Sequence, residues 1–322
     1  MKLSQRIAAL AVFAGAGLSA TLMAQAYPVK PIRILVGFTP GAGMDIAVRL
    51  VAPKMGEVLG QQIIIDNRPG AGGNLAAEMT AKAPADGYTL LTSGAPAAIA
   101  QSLYPKLGYD LLRDLEAVAL IASAAQLLVV HPSLPAKTVK TFVAFAKGAR
   151  SELTYATTGA GSTPHLSAEM FRMQSGIRIL HVPYRGTPPA MTDLVAGNVT
   201  FMFANLLSVM PQVQQGRLRA LAITSARRSP ITPDVPTVAE TYPGFESGSW
   251  YALFTPMGTP RDAITRLHEA VSKALQSEDV RSKMLAQGAE LLSGSQQDAQ
   301  AYTRAETAKW ARVVRASGAR AD

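Results

Sequence analysis

Short apolar runs rich in β-branched residues recur along this chain, and longer segments with apolar positions every three or four residues separate them. The runs at 32–38, 62–66, 89–93, 118–130, 153–156, 179–182, 199–203, 218–224 and 251–254 predict strands. The segments at 45–59, 74–83, 139–148, 164–174, 188–196 and 209–215 predict helices. From Pro260 onward the pattern is helical only, over 261–276, 278–287 and 297–316. Strand and helix alternating in this way is the signature of an α/β fold with mainly parallel sheets. Two places read as crossings between sheets rather than as loops. The run 118–130 is too long for one ordinary strand and is expected to pass from one sheet to another, in two pieces if it bends. Gly244-Phe245-Glu246-Ser247-Gly248-Ser249-Trp250-Tyr251 then carries the chain back. The expected result is a discontinuous first lobe, 27–124 with 247–322, around an inserted second lobe, 125–246. Two extended crossings form a hinge, because a few residues absorb the rotation that closes one lobe on the other.

The N-terminus follows neither period. Lys2 and Arg6 precede an uncharged Ala-, Leu- and Gly-rich stretch over 7–23, and Ala24-Gln25-Ala26 is a small-x-small triplet. This is the order of a secretory signal peptide, with cleavage expected after Ala26 and Tyr27 as the first residue of an exported, periplasmic protein. No later apolar run reaches the length of a membrane span. The residues from 27 to 322 exceed a typical single domain, in keeping with two lobes that each bury a core.

The chain contains no cysteine, so it has no disulfide, no thiolate metal site, no cysteine nucleophile and no lipid-modified thiol. Net charge is +9, of which Lys2 and Arg6 supply two. The remaining Lys and Arg are scattered without a helical stripe or interleaved aromatics, which argues against a nucleic-acid partner. A modest positive field favours anionic solutes instead.

The sharpest local motif is Phe38-Thr39-Pro40-Gly41-Ala42-Gly43-Met44-Asp45, between a predicted strand and a predicted helix. Glycines allow the tight turn, and the first N–H groups of the helix lie at the positive end of its dipole, a ready anion site. Asp45 is a candidate helix cap or a partner for a donor on the ligand. Neither a Walker loop nor a dinucleotide fingerprint fits the spacing. A second element of the same kind follows another strand: Thr157-Thr158-Gly159-Ala160-Gly161-Ser162-Thr163-Pro164-His165. One helix end per lobe, facing across a cleft, supplies about 0.3–2 kcal/mol each, so further contacts and exclusion of water are needed for tight binding.

Catalytic readings are weaker. Ser162 and His165 suggest a nucleophile and a base, but Gly-Ala-Gly-Ser-Thr is not the elbow of a serine hydrolase, and a cap or ligand hydrogen bond is the simpler role. The four histidines, 131, 165, 181 and 268, have no metal-ligand spacing, and no cofactor is expected. Asp66 and Asp86 sit in turn chemistry. Trp250 and Tyr251, on the return crossing, either pack the hinge or wall the pocket.

With these motifs go Tyr27-Pro28-Val29-Lys30-Pro31-Ile32, Asn67-Arg68-Pro69-Gly70-Ala71-Gly72-Gly73, Asp86-Gly87-Tyr88, His181-Val182-Pro183-Tyr184-Arg185-Gly186, Pro233-Asp234-Val235-Pro236-Thr237 and Gly258-Thr259-Pro260. In this order they resemble, over essentially the whole chain beyond the leader, the tripartite tricarboxylate transporter receptors, the Bug-type (TctC-like) solute receptors. The resemblance implies a type II periplasmic binding protein, two-lobed like a Venus flytrap, that does no chemistry. It implies a small carboxylate ligand (a di- or tricarboxylate, an acidic amino acid or an aromatic acid) held by backbone N–H groups, hydroxyls and waters. It further implies a monomer whose partners are membrane transporter subunits or a sensor protein. Carried over by position, the ligand contacts are Phe38, Thr39, Gly41, Ala42, Gly43, Met44 and Asp45, with Ser93, Gly94 and Ala95, in the first lobe. In the second they are Thr158, Gly159, Gly161, Ser162, His165, Ala204 and Asn205. The chain departs from the family's usual Pro-Gly-Gly at Ala42, whose Cβ narrows the space beside the carboxylate or excludes a positive-φ backbone. Met44, a flexible thioether, suits a ligand with an apolar body.

Overall fold

A computed structural model of the chain describes residues 27–320; the leader and its cleavage triplet lie outside them. The first sheet is built from β1 (Ile32–Val36), β2 (Ile63–Asn67), β3 (Thr89–Gly94), β9 (Gly248–Pro256) and β10 (Ala289–Leu291), together with the first part of β4 (Leu115–Val130). Its order is β2-β1-β3-β9-β4-β10. The first three strands are parallel, and β9 runs antiparallel to both β3 and β4. The second sheet takes the end of β4 with β5 (Leu153–Thr157), β6 (Ile179–Pro183), β7 (Phe201–Asn205) and β8 (Arg219–Ile223). Its order is β6-β5-β7-β4-β8, with β4 antiparallel to both its neighbours.

β4 is one strand, not two pieces. It pairs with β9 as far as Ala125↔Gly248, then with β7 from Gln126↔Asn205. Two register shifts on the β9 side, between Ala117 and Ala119 and between Leu120 and Ala122, add the twist that turns the strand from one sheet into the next. The return is equally short: Ser247 N–H still bonds Thr224 O, and Gly248 begins β9.

Period two decides which side of each sheet a residue buries. In β1, Ile32, Ile34 and Val36 join one core with Val48, Val51 and Met55 of α1 (Gly43–Leu59) and Leu267 and Val271 of α8 (Arg261–Gln276), near α9 (Glu278–Ala286). Leu35 faces the other way, with Ile99 of α3 (Ala95–Leu103), Ala76 and Ala77 of α2 (Asn74–Ala81) and Trp310 of α10 (Gln296–Ser317). The second sheet repeats this. Leu128 and Val130 meet α4 (Val139–Gly148) and α5 (Thr163–Ser175), whereas Leu127 and Val129 meet α6 (Thr187–Val195) and α7 (Leu206–Gln214). The chain is thus two helix-sheet-helix lobes joined by β4 and β9, with a cleft between them.

Two expectations need correction. The C-terminal region is not helical throughout: Ala289, Glu290 and Leu291 pair with β4, because a sheet edge there offers free backbone groups. Helix α3 lies where no helix was predicted. Pro96 sits at its second position, where the missing N–H costs nothing, and the alanines after it are strong helix formers. Among the described residues, no helix is long and apolar enough to cross a membrane.

Candidate ligand-binding cleft

The two Gly-rich loops fold alike. Gly41 takes φ 84 and Gly161 φ 78, a left-handed backbone in which a side chain is strained. The next residue, Ala42 or Ser162, is an extended N-cap with no side-chain cap bond, and the helix follows at Gly43 or Thr163. The cavity-side N–H groups at Gly43, Met44 and Thr163 therefore have no acceptor within their own helices. The positive φ falls on Gly41, whereas Ala42 has φ −69, so the alanine is accommodated without strain and its Cβ borders the cavity.

Each loop is braced from the third helical position. Asp45, 2% exposed, accepts from Gly41 N–H at 2.9 Å, from Asn67 Nδ2 at 2.8 Å and from Arg49 Nε at 2.9 and 3.0 Å. Asn67 also donates to Phe38 O. In the second lobe His165 Nδ1 accepts from Gly161 N–H at 3.2 Å. Its ring stacks on His181 at 4.2 Å, and His181 Nε2 lies 2.7 Å from Thr157 Oγ1. The expected helix-capping role of Asp45 is corrected, since Ala42 is the N-cap. Asp45 and His165 hold the loops in shape, and neither borders the cavity.

That cavity is partly open to solvent, and its empty space is about 420 Å³. Of the expected contacts, Phe38, Ala42, Gly43, Met44, Thr158, Ser162 and Asn205 line it. Pro96, Thr163, Pro164, Thr187, Met202, Ser249 and Tyr251 line it too, unforeseen as contacts apart from Tyr251 as a wall. Met202 follows from the alternation along β7, and Thr163 and Thr187 are first residues of helices. Thr39 lies against Gly186, and Gly159 borders a neighbouring opening. Gly161 packs on Leu103 and Tyr104, while Ala204 is buried in β7 opposite Leu127. Ser93 and Gly94 pair with Ala252 and Tyr251 of β9, and Ala95 is buried as the first residue of α3.

The lining contains no charged side chain. Its positive potential comes from backbone, because α1, α3, α5, α6 and α7 all begin at or beside lining residues. Two hydroxyls stand ready: Ser162 Oγ and Thr163 Oγ1 belong to residues each 1% exposed, and neither has a hydrogen-bond partner among the described residues. Ser162 is therefore not bonded to His165, as a serine nucleophile activated by that base requires. At the back of the cavity Asn205 Nδ2 donates to Tyr251 Oη at 2.6 Å, tying the end of β7 to β9. Burial raises the Tyr251 phenol well above its ordinary value, so it stays protonated at neutral pH. Both groups press on Gly43, where a Cβ would lie 2.5 Å from Asn205 Oδ1 and 2.8 Å from Tyr251 Oη.

Comparison with known proteins agrees with this geometry. Residues 47–319 match the tripartite tricarboxylate transporter family receptor. The Bordetella pertussis protein BugT is 37% identical over 99% of each chain. Among solved structures, R. palustris Rpa4515 with adipate superposes with a TM-score of 0.89 at 38% identity, over 92% of this chain and all of that one. The periplasmic binding protein BugD gives a TM-score of 0.88 at 30% identity, again over 92% of this chain and all of that one. MatC (Rpa3494) from Rhodopseudomonas palustris with bound malate gives 0.86 at 33%, over 89% of this chain and all of that one. A cleft with helix N-termini on both sides, in a two-lobed fold shared over nearly the full length, leads to one conclusion: the chain belongs to the tripartite tricarboxylate transporter family of receptors.

Proposed function

We propose that this chain is a periplasmic receptor, cleaved after Ala26, that captures a small carboxylate between its lobes without catalysis. The observation that carries the reading is the pair of buried, unpartnered hydroxyls of Ser162 and Thr163 on the cavity, opposite the N-terminus of α1. A buried hydroxyl without a partner costs about 1–3 kcal/mol, and a ligand oxygen recovers that cost. The carboxylate sits against the N–H groups of Gly43 and Met44, with Ser162, Thr163, Thr158 and Asn205 on the second-lobe side. Phe38, Met44 and Met202 face the ligand's apolar body. Adipate and malate, named with two of the similar structures, are both dicarboxylates.

Residues 27–124 with 247–322 form the first lobe and 125–246 the second, hinged where β4 passes from β9 to β7 and where the chain returns through Ser247 into β9. Binding shifts the population from open to closed, and a monomeric closed receptor is what a transporter subunit or a sensor distinguishes from an empty one. A thermal-shift screen of the exported protein against di- and tricarboxylates, aromatic acids, acidic amino acids and neutral amides tests this. A ligand at 100 times its dissociation constant adds about 2.7 kcal/mol to stability. Stabilisation by a subset of carboxylates, and not by their amides, is the expected result; no shift with any carboxylate, even after refolding to strip a retained ligand, removes the reading.

A further inference from the structure

The space between the lobes does not end at the two helix N-termini. Phe38 and Thr158 line both that cavity and a second opening, whose empty space, part of it open to solvent, is about 1310 Å³. That opening is walled by Gly72 and Tyr104 of the first lobe and by Ala160 and Arg185 of the second. Arg185 is the one cation in its lining, and it forms no ion pair with any described residue. The backbone on either side of Arg185 is fixed. Tyr184 N–H donates to Thr157 O at 3.1 Å, and Tyr184 Oη donates to Asp193 Oδ2 at 2.6 Å. Gly186, at φ 114, approaches so closely that a Cβ there would lie 2.3 Å from Thr39 Oγ1 of the opposite lobe.

We propose that this second opening is a distal anion subsite in which Arg185 receives the far charged group of an extended ligand. The inference rests on the receptor reading and narrows its substrate class. The proximal carboxylate lies at the α1 and α5 N-termini, the apolar chain passes between Phe38 and Thr158, and the second carboxylate meets Arg185. The ligand class is therefore an α,ω-dicarboxylate long enough to span both spaces. Arg185 gives up rotamer freedom when it pairs, but its planar fork fits a carboxylate through two parallel hydrogen bonds.

The test is calorimetric titration of the exported protein with succinate, adipate, suberate and sebacate, and with hexanoate and octanoate as chains that lack the second charge. Wild type is expected to prefer suberate over both succinate and octanoate. Arg185→Gln is expected to weaken suberate about tenfold while changing octanoate less than about twofold, with Arg185→Lys in between. The side chain is exposed, so an unchanged unfolding midpoint is expected to show that the variant folds. Equal loss for suberate and octanoate, no loss for suberate, or succinate binding as tightly as suberate overturns the subsite and leaves the receptor intact. Failure of every carboxylate to bind overturns the receptor reading itself.

Discussion

In the proposed receptor, single residues distinguish an empty cleft from a filled one. Ser162 Oγ is buried without a partner, so it costs stability when the cleft is empty and contributes when a ligand oxygen arrives. Ser162→Ala is therefore expected to weaken carboxylate binding by about 1–1.5 kcal/mol while leaving the unfolding midpoint of the ligand-free protein unchanged or slightly higher. Calorimetry and a thermal melt on the same sample separate the two effects. Gly43 acts through space alone: it begins an ordinary helix, and only the approach of Asn205 and Tyr251 forbids a Cβ. Gly43→Ala is expected to keep the fold but hold the lobes apart. Small-angle scattering at saturating ligand then shows no compaction; a normal contraction counts against the closure contact.

At the scale of elements, the loops that open α1 and α5 are shaped by braces rather than by the ligand. Removing the Asp45 carboxylate leaves Arg49, Asn67 and Gly41 N–H without their shared acceptor. Asp45→Ala is expected to cost about 2–3 kcal/mol in urea unfolding, well above the usual effect of a surface change. On the second lobe, Arg228 donates to both oxygens of Glu240, which also accepts from Thr237 N–H. The Arg228 hydrogen bonds, chiefly, and then the Thr237 N–H lower the Glu240 pKa from 4.5 to about 2. A depressed carboxylate pKa contributes stability above its unfolded value and loses it as pH falls through the folded one. The stability gap between wild type and Arg228→Gln is accordingly expected to be full near neutrality and to close between pH 4.5 and about 2. A gap that is flat across that window excludes the linkage.

Across the whole molecule, a few contacts away from the β4 crossing join the two lobes. Tyr104 Oη donates to Ala160 O at 3.0 Å, linking the end of α3 to the loop that carries Ser162. Tyr104→Phe is expected to quicken ligand release by about threefold to tenfold with little change in association, read by stopped-flow fluorescence, since this bond joins the two lobes across the proposed cleft. Arg172 Nη2 similarly reaches Ser317 O, so α10 is held by the second lobe as well as by the first.

The α/β class was legible from the sequence because the periods of two and of 3.6 residues are local, and burial on both faces of each sheet preserved them. The two Gly-rich loops were legible for the same reason: Gly41 and Gly161 satisfy a backbone need that no distant residue alters. What the local pattern could not contain was anything that depends on distant segments meeting. β10 exists only because β4 presents an edge to it. Asp45 and His165 carry ligand-binding chemistry, yet each is spent on the glycine N–H four residues before it, a use that only folded geometry reveals. Tyr251, Met202 and Thr187 reach the cavity because β9, β7 and α6 converge there from across the chain. The sequence by itself determined the elements and the anion-seeking helix ends; tertiary structure decided which side chains line the cavity, because that choice is made by packing between lobes rather than by neighbours in the chain.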